Sequence, residues 1–193
     1  MFYFFPNRPL LLPIDDPQIV QYSNNSDYIA EVKKNGSRLC LHKVDGEYLW
    51  YNRDKKLLNY TPSSEVLVEL ESLNLPDNTH IDAELLHHKT KHIKNHIYVY
   101  DIYQYAGNPI MEPLSGRRQL LTEIFKSKSL NHFELATMYE SDFIALFYDV
   151  IEKEENEGLV IKNLNGKIIW DMKKSPDVWW QIKVRKPNKN YKF

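Results

Sequence analysis

The stretch Tyr28-Ile29-Ala30-Glu31-Val32-Lys33-Lys34-Asn35-Gly36-Ser37-Arg38-Leu39-Cys40-Leu41-His42-Lys43-Val44 decides how the rest of the chain is read. Apolar and polar residues alternate through 28–32 and again through 38–44. Both runs are rich in β-formers, so each reads as a strand. Lys34-Asn35-Gly36 between them is a turn signal, with glycine available for a positive φ. The stretch therefore reads as a β-hairpin that holds Lys33 beside a glycine turn, where backbone can come close to a ligand.

Outward from there, Asp45-Gly46 punctuates a second hairpin, with 48–51 as its return strand. Ser63-Ser64-Glu65 caps a helix through Val66, Leu67, Leu70 and Leu73 that ends before Pro76. Segments 80–87 and 96–103 are strands, and 105–113 is a loop with Gly107 and Pro109. Ser115 opens a helix through Leu120, Leu121, Ile124 and Phe125, and Ser141 caps another over 143–155. Segment 158–163 is a strand. Asn165-Gly166 is a tight turn with 167–170 as its partner, and 179–185 is the last strand. The pattern predicts an α+β fold, mainly antiparallel, with helices packed outside. No linker or repeat interrupts it, so 1–193 reads as one domain, with sublobes and a cleft between sheets.

The chain has 193 residues, 42% hydrophobic and 26% charged, which suits an ordinary folded domain. No apolar run approaches the ~20 residues of a membrane helix. The apolar start Met1-Phe2-Tyr3-Phe4-Phe5 breaks at Pro6 and lacks a basic n-region, so no signal peptide is read. The single cysteine, Cys40, excludes an intramolecular disulfide and a four-cysteine zinc site, and fits a reducing, intracellular compartment. It lies in Leu39-Cys40-Leu41 and reads as a buried strand residue. The seven histidines show no metal spacing; His87, His88 and His92 read as surface. Lys plus Arg number 25 against 26 Asp plus Glu, yet beyond Asp171 come Lys173, Lys174, Lys183, Arg185, Lys186, Lys189 and Lys192, opposed only by Asp177. Such a tail is either a solvated terminus or a face for phosphates. The small size and the abundance of Lys and Asn suit a viral or AT-rich source.

Lys33 is the residue on which chemistry would turn. An amine attacks phosphorus only when deprotonated, and its ordinary pKa of about 10.4 must be lowered by cations, burial or a metal. Taken alone, Lys-x-x-Gly is a hairpin with a surface lysine. The ordered set is more specific: Glu31-Val32-Lys33-Lys34-Asn35-Gly36-Ser37-Arg38, Asn52-Arg53, Asp82-Ala83-Glu84, Tyr98-Val99-Tyr100-Asp101, Glu157-Gly158-Leu159-Val160-Ile161-Lys162, then Trp179-Trp180-Gln181-Ile182-Lys183.

This set resembles the motifs of the ATP-dependent DNA ligases, within the covalent nucleotidyltransferases. The first string is similar to their Glu-x-Lys-x-Asp-Gly-x-Arg, with Asn35 for Asp. The resemblance implies an ATP-grasp-like adenylation domain, with no OB-fold in this chain. It implies that Lys33 forms a lysyl-AMP phosphoramidate from ATP, that Glu31 reads the adenine amino group, and that Arg38 contacts ribose or the nick phosphate. Arg53 resembles the Arg of a Ser-Arg element. Glu84 would bind a ribose hydroxyl or position Mg²⁺, Tyr100 would stack on adenine, Glu157 would serve the metal, and Lys162 and Lys183 the α-phosphate. The last motif, usually Trp-x-Lys-x-Lys, fits with Gln181 and Lys183 or, slid along, with Lys183 and Arg185. Arg117 and Arg118, in a Pro-Leu-x-x-Arg-Arg-like segment, either cover a helix surface or pair with acids.

The function implied is sealing of nicked duplex DNA through a lysyl-AMP intermediate, for replication, repair or recombination. An OB-fold domain or subunit that orients pyrophosphate would be supplied separately, and without it self-adenylation is expected to be weak. RNA ligase, an mRNA-capping guanylyltransferase and a non-catalytic nucleic-acid-binding subunit remain the alternatives. A NAD-dependent ligase is disfavoured, because no nicotinamide-binding domain precedes Lys33 and no zinc cysteines exist.

Overall fold

A computed structural model describes residues 3–186. In chain order it contains β1 (Arg8–Leu11), α1 (Pro17–Ser23), β2 (Tyr28–Lys34), β3 (Ser37–Val44), β4 (Glu47–Tyr51), α2 (Ser64–Ser72) and β5 (Thr79–Leu86). Then follow β6 (His96–Tyr105), β7 (Asn108–Pro109), α3 (Leu114–Phe125), β8 (Phe133–Leu135), α4 (Phe143–Val150), β9 (Asn156–Asn163) and β10 (Asp177–Arg185). One sheet runs β1-β10-β9-β2 and the other β4-β3-β5-β6-β7, with β8 alongside β6. Pairing is antiparallel except β1 with β10 and β6 with β8. The α+β reading with flanking helices therefore holds.

Each sheet buries one face under helices, and period-two alternation leaves the other face polar. In the four-stranded sheet, Ala30, Leu159, Ile161, Ile182 and Val184 pack on Ile19 of α1 and on Phe143, Phe147 and Val150 of α4. In the larger sheet, Leu39, Leu41, Ile81, Ala83, Leu85, Ile97 and Val99 pack on Val66 and Leu70 of α2 and Leu121 of α3. Burying each large side chain is worth roughly 1.5–3 kcal/mol. The opposite faces look into a cleft between the sheets.

The largest correction concerns the opening stretch. β2 and β3 lie in different sheets, so it is no hairpin. The segment Asn35-Gly36 is instead a crossover. Gly36 is not among the residues with positive φ. Its glycine serves close approach: a Cβ there would stand 2.6 Å from the Leu85 carbonyl oxygen and 2.7 Å from Glu84 Cγ.

Smaller corrections follow from tertiary contacts. β1 and α1 were not read from the sequence, although Asp16 caps α1 by accepting from the Gln18 N–H at 2.9 Å and Pro17 occupies its first turn. The helix read over 143–155 stops at Val150, since Glu152, Glu154 and Glu155 would oppose the dipole at its C-terminus. Its first free amide, on Phe143, donates to Ser23 Oγ at 3.2 Å, not to Ser141. Segment 167–170 forms no strand; Trp170 instead packs edge-on against Phe4. Cys40 is fully buried, as expected. No helix of the described residues is long and apolar enough to cross a membrane. Lys189 and Lys192 of the basic tail lie outside the described residues.

Candidate nucleotide-binding and active site

The inter-sheet cleft has a volume of about 970 Å³. Its lining includes every residue singled out from the sequence: Lys33, Glu31, Arg38, Arg53, Glu84, Tyr100, Glu157, Lys162 and Lys183. Alternation explains most of this. Glu31 and Lys33 stand opposite Ala30 and Val32 on β2; Lys162 stands opposite Leu159 and Ile161 on β9; Lys183 and Arg185 stand opposite Ile182 and Val184 on β10.

Two placements depend on β-bulges rather than alternation. On β9 the pairing jumps from Lys33↔Gly158 to Lys34↔Asn156, leaving Glu157 as the extra residue. Gly158 has φ +145°, a conformation reserved for glycine, and a Cβ there would lie 2.0 Å from the Val184 carbonyl oxygen. The bulge turns Glu157 toward the nucleophile candidate, and Lys33 Nζ donates to Glu157 Oε2 at 2.5 Å. Arg185 Nη2 stands 3.0 Å from the same oxygen. On β6 the pairing jumps from Asp82↔Asp101 to Ala83↔Val99, so Tyr100 is likewise the extra residue. Its ring enters the cleft with Lys162 Nζ 5.2 Å and the Arg38 guanidinium 5.7 Å from its centroid.

Charges are paired along the cleft walls, mostly between neighbouring strands of one sheet. Glu31 is buried, with Oε2 2.6 Å from Lys162 Nζ and Oε1 3.6 Å from Arg118 Nη1. Burial raises its pKa, against the pull of Lys162 and Arg118. Oε1 itself accepts no hydrogen bond. Glu84 is pushed up to about 6, chiefly by burial; Lys33, Lys89 and Arg38 hold it down, while the charge of Glu157 adds to the rise. Burial pushes Lys183 below the usual lysine range, helped by Arg185, Lys33 and Arg8. Arg53 sits at the rim, mostly exposed, 3.7 Å from Asp54.

Three residues that sequence reasoning left out of the site support it. Asp82 receives Arg38 bidentately, at 2.9 and 2.5 Å, and fixes that guanidinium over the cleft. Arg117 is fully buried and grips Asp101 at 2.7 and 3.0 Å. Arg118 is also buried, beside Glu31. Of the two alternatives for this arginine pair, pairing with acids is the one observed. The signal was Asp82 and Asp101 standing within the motifs as unassigned acids.

A family model described as "ATP dependent DNA ligase domain" matches residues 78–183, more than half of the chain. The chain belongs to the ATP-dependent DNA ligase domain family. A DNA ligase of African swine fever virus (isolate Tick/South Africa/Pretoriuskop Pr4/1996) is 27% identical over 179 residues, covering 78% of this chain and 42% of the viral protein. The SPbeta prophage-derived DNA ligase-like protein LigB of Bacillus subtilis (strain 168) is 26% identical over 178 residues, covering 82% and 62%. This ligase-family chain thus spans only part of the curated relatives it matches. Among solved structures, mycobacterial DNA ligase D complexed with ATP and MES superposes with a TM-score of 0.65 at 14% identity, covering 96% of this chain and 61% of that one. The ATP-dependent DNA ligase of bacteriophage T7, complexed with ATP, gives 0.55 at 17% identity, covering 94% and 68%. At such identities the likeness establishes the fold.

Proposed function

We propose that this chain is the adenylation domain of an ATP-dependent DNA ligase and that Lys33 carries the AMP. The observation that carries the reading is the convergence in one cleft of a lysine on a bulged carboxylate, an aromatic ring flanked by cations, and a buried acceptor without a donor. Glu31 Oε1 suits an exocyclic amine, and Tyr100 offers a face for a purine. Glu84 and Glu157 are hard oxygen donors close enough that one raises the other's pKa. Among the described residues no group of three or more His, Cys, Asp or Glu forms a ready cage. Two carboxylates facing a phosphate-binding cleft suit Mg²⁺, which keeps waters and borrows substrate phosphate oxygens. When bound, Mg²⁺ supplies charge neutralisation at phosphorus.

The residues then take these roles. The Lys33 amine, its proton lost to solvent, attacks the α-phosphorus of ATP; an N–P bond forms and pyrophosphate leaves with the bonding electron pair. A 5′-phosphate oxygen attacks next, breaks the N–P bond and frees the amine. A 3′-hydroxyl then attacks the activated phosphate, joins the strands and expels AMP. Lys162 and Lys183 hold the phosphate oxygens through the charge build-up. Arg8, Lys173 and Lys174 on the cleft lining would follow backbone phosphates, giving salt-sensitive binding to nicked duplex DNA.

The test is intact-mass measurement after incubation with ATP and Mg²⁺, with pyrophosphatase present to remove the product that reverses the reaction. A gain of one AMP is expected in wild type and Cys40→Ala, slow and partial for this chain without an added OB-fold module, and none in Lys33→Ala. An adduct surviving Lys33→Ala, or no adduct from any wild-type preparation, overturns the reading. Label from GTP alone would make it a capping-type enzyme. Sealing of nicks bearing RNA but not DNA strands would make it an RNA ligase.

A further inference from the structure

The loop 87–95 between β5 and β6, read from sequence as exposed surface, sends one side chain back into the cleft. Lys89 lines that cleft, and its ammonium donates to the Gly36 carbonyl oxygen. Gly36 belongs to the crossover that carries the chain from Lys33 in one sheet to Arg38 in the other. We propose that Lys89 is a positioning residue for Lys33, holding the crossover so that the amine keeps its place against Glu157. This rests on the reading of Lys33 as the nucleophile.

The two-residue crossover lies between paired strand ends, with Lys34 opposite Asn156 in one sheet and Ser37 opposite Leu85 in the other. The Asn35 N–H donates to the Glu155 carbonyl at 2.7 Å, on the side of the smaller sheet. Toward the larger sheet, Gly36 packs against Glu84, Leu85 and Leu86 so closely that no side chain would fit. Lys89 adds a charged hydrogen bond there, among the stronger kinds available to a backbone carbonyl. The loop that delivers it is itself braced. Lys94 Nζ donates to the carbonyls of His87 at 2.6 Å and Thr90 at 2.7 Å, Thr90 Oγ1 donates to Ile93 O at 2.6 Å, and His88 Nε2 is 2.9 Å from Asn59 O. Lys91 stands 3.5 Å from Glu154 in an exposed ion pair with the turn that precedes β9. A lysine on a tethered loop fixes its acceptor; one on a free loop would follow it.

Two variants and two measurements test this. Lys89→Met removes the charge and the donors but keeps the stem, and Lys89→Arg restores a cationic donor. Single-turnover AMP-adduct formation should lose roughly ten- to a hundredfold in maximal rate for Lys89→Met, the scale of a misplaced nucleophile, with the half-saturating ATP concentration little changed. Lys89→Arg should recover most of the rate. Hydrogen exchange at amides 35–37 should quicken in Lys89→Met and return in Lys89→Arg, at unchanged melting temperature. An unchanged maximal rate, or a loss confined to ATP affinity, overturns the proposal. Should wild type form no adduct, the assignment of Lys33 fails while the exchange arm still decides the hold on the crossover: unchanged exchange at 35–37 overturns it.

Discussion

Gly158 offers a sharp test of how the cleft is built, because its substitution can be paired with a control. Gly158→Ala meets two costs. Its φ of +145° is open to glycine alone, and forcing an L-residue there costs about 1–3 kcal/mol. The added Cβ would also lie 2.0 Å from the Val184 carbonyl oxygen, 3.0 Å from its carbon and 3.1 Å from Arg185 Cα. These are backbone atoms of the paired strand, so β10 must move. Losing one or two hydrogen bonds between β9 and β10 adds about 1 kcal/mol each. The expected total is about 2–5 kcal/mol, a large share of the 5–15 kcal/mol typical of a domain. Gly46→Ala is the control. Its φ is +81° and nothing lies within 4 Å of a Cβ, so only the left-handed penalty of about 1–2 kcal/mol applies. Urea denaturation of both variants reads the difference directly, and Gly158→Ala should lower Tm by roughly 10 °C. Because the bulge aims Glu157 at Lys33, AMP-adduct formation should fall in Gly158→Ala under native conditions and stay normal in Gly46→Ala. Equal destabilisation by the two alanines would refute the argument that close strand approach, rather than φ alone, dictates this glycine.

Three further outcomes follow from the electrostatics. Glu84 titrates at about 6 in the fold against 4.5 unfolded, so the native state holds this proton more tightly. Adduct formation that depends on Mg²⁺ should therefore rise as pH rises through about 6, a limb that Glu84→Gln abolishes. Stability has the opposite sign: Glu84 withdraws up to about 2 kcal/mol as pH climbs from 4.5 to 6, so urea midpoints of Glu84→Gln should gain on wild type across that window. For the buried pair, Asp101→Asn strands the Arg117 guanidinium and should cost about 3–5 kcal/mol in urea denaturation, whereas Asp101→Leu with Arg117→Met should recover much of it. A double variant no better than the single would show that shape, not charge, governs that site.

The order of chemistry-bearing residues, and their alternation with apolar ones, was legible from the chain. Glu31 and Lys33 against Ala30 and Val32 is a local pattern with period two, and it already says which side chains share a face. The same pattern located β2 to β6, β9, β10 and the three outer helices α2 to α4, while the likeness to ligases rested on the order of the motif residues. It could not say that β2 and β3 belong to different sheets, since a turn signal between two strands reads alike whether the strands pair or part. Gly36 was expected for its dihedral freedom and proved to be there for space, a property of Glu84 and Leu85 lying far along the chain. The bulges at Tyr100 and Glu157 exist only as mismatches between paired strands, so no single strand encodes them. Asp82 and Asp101 became partners of Arg38 and Arg117 only when β3, β5, β6 and α3 met. Periodicity is fixed by neighbours along the backbone and survives in sequence; register, crossover and ion pairing are relations between distant segments, and only packing decides them.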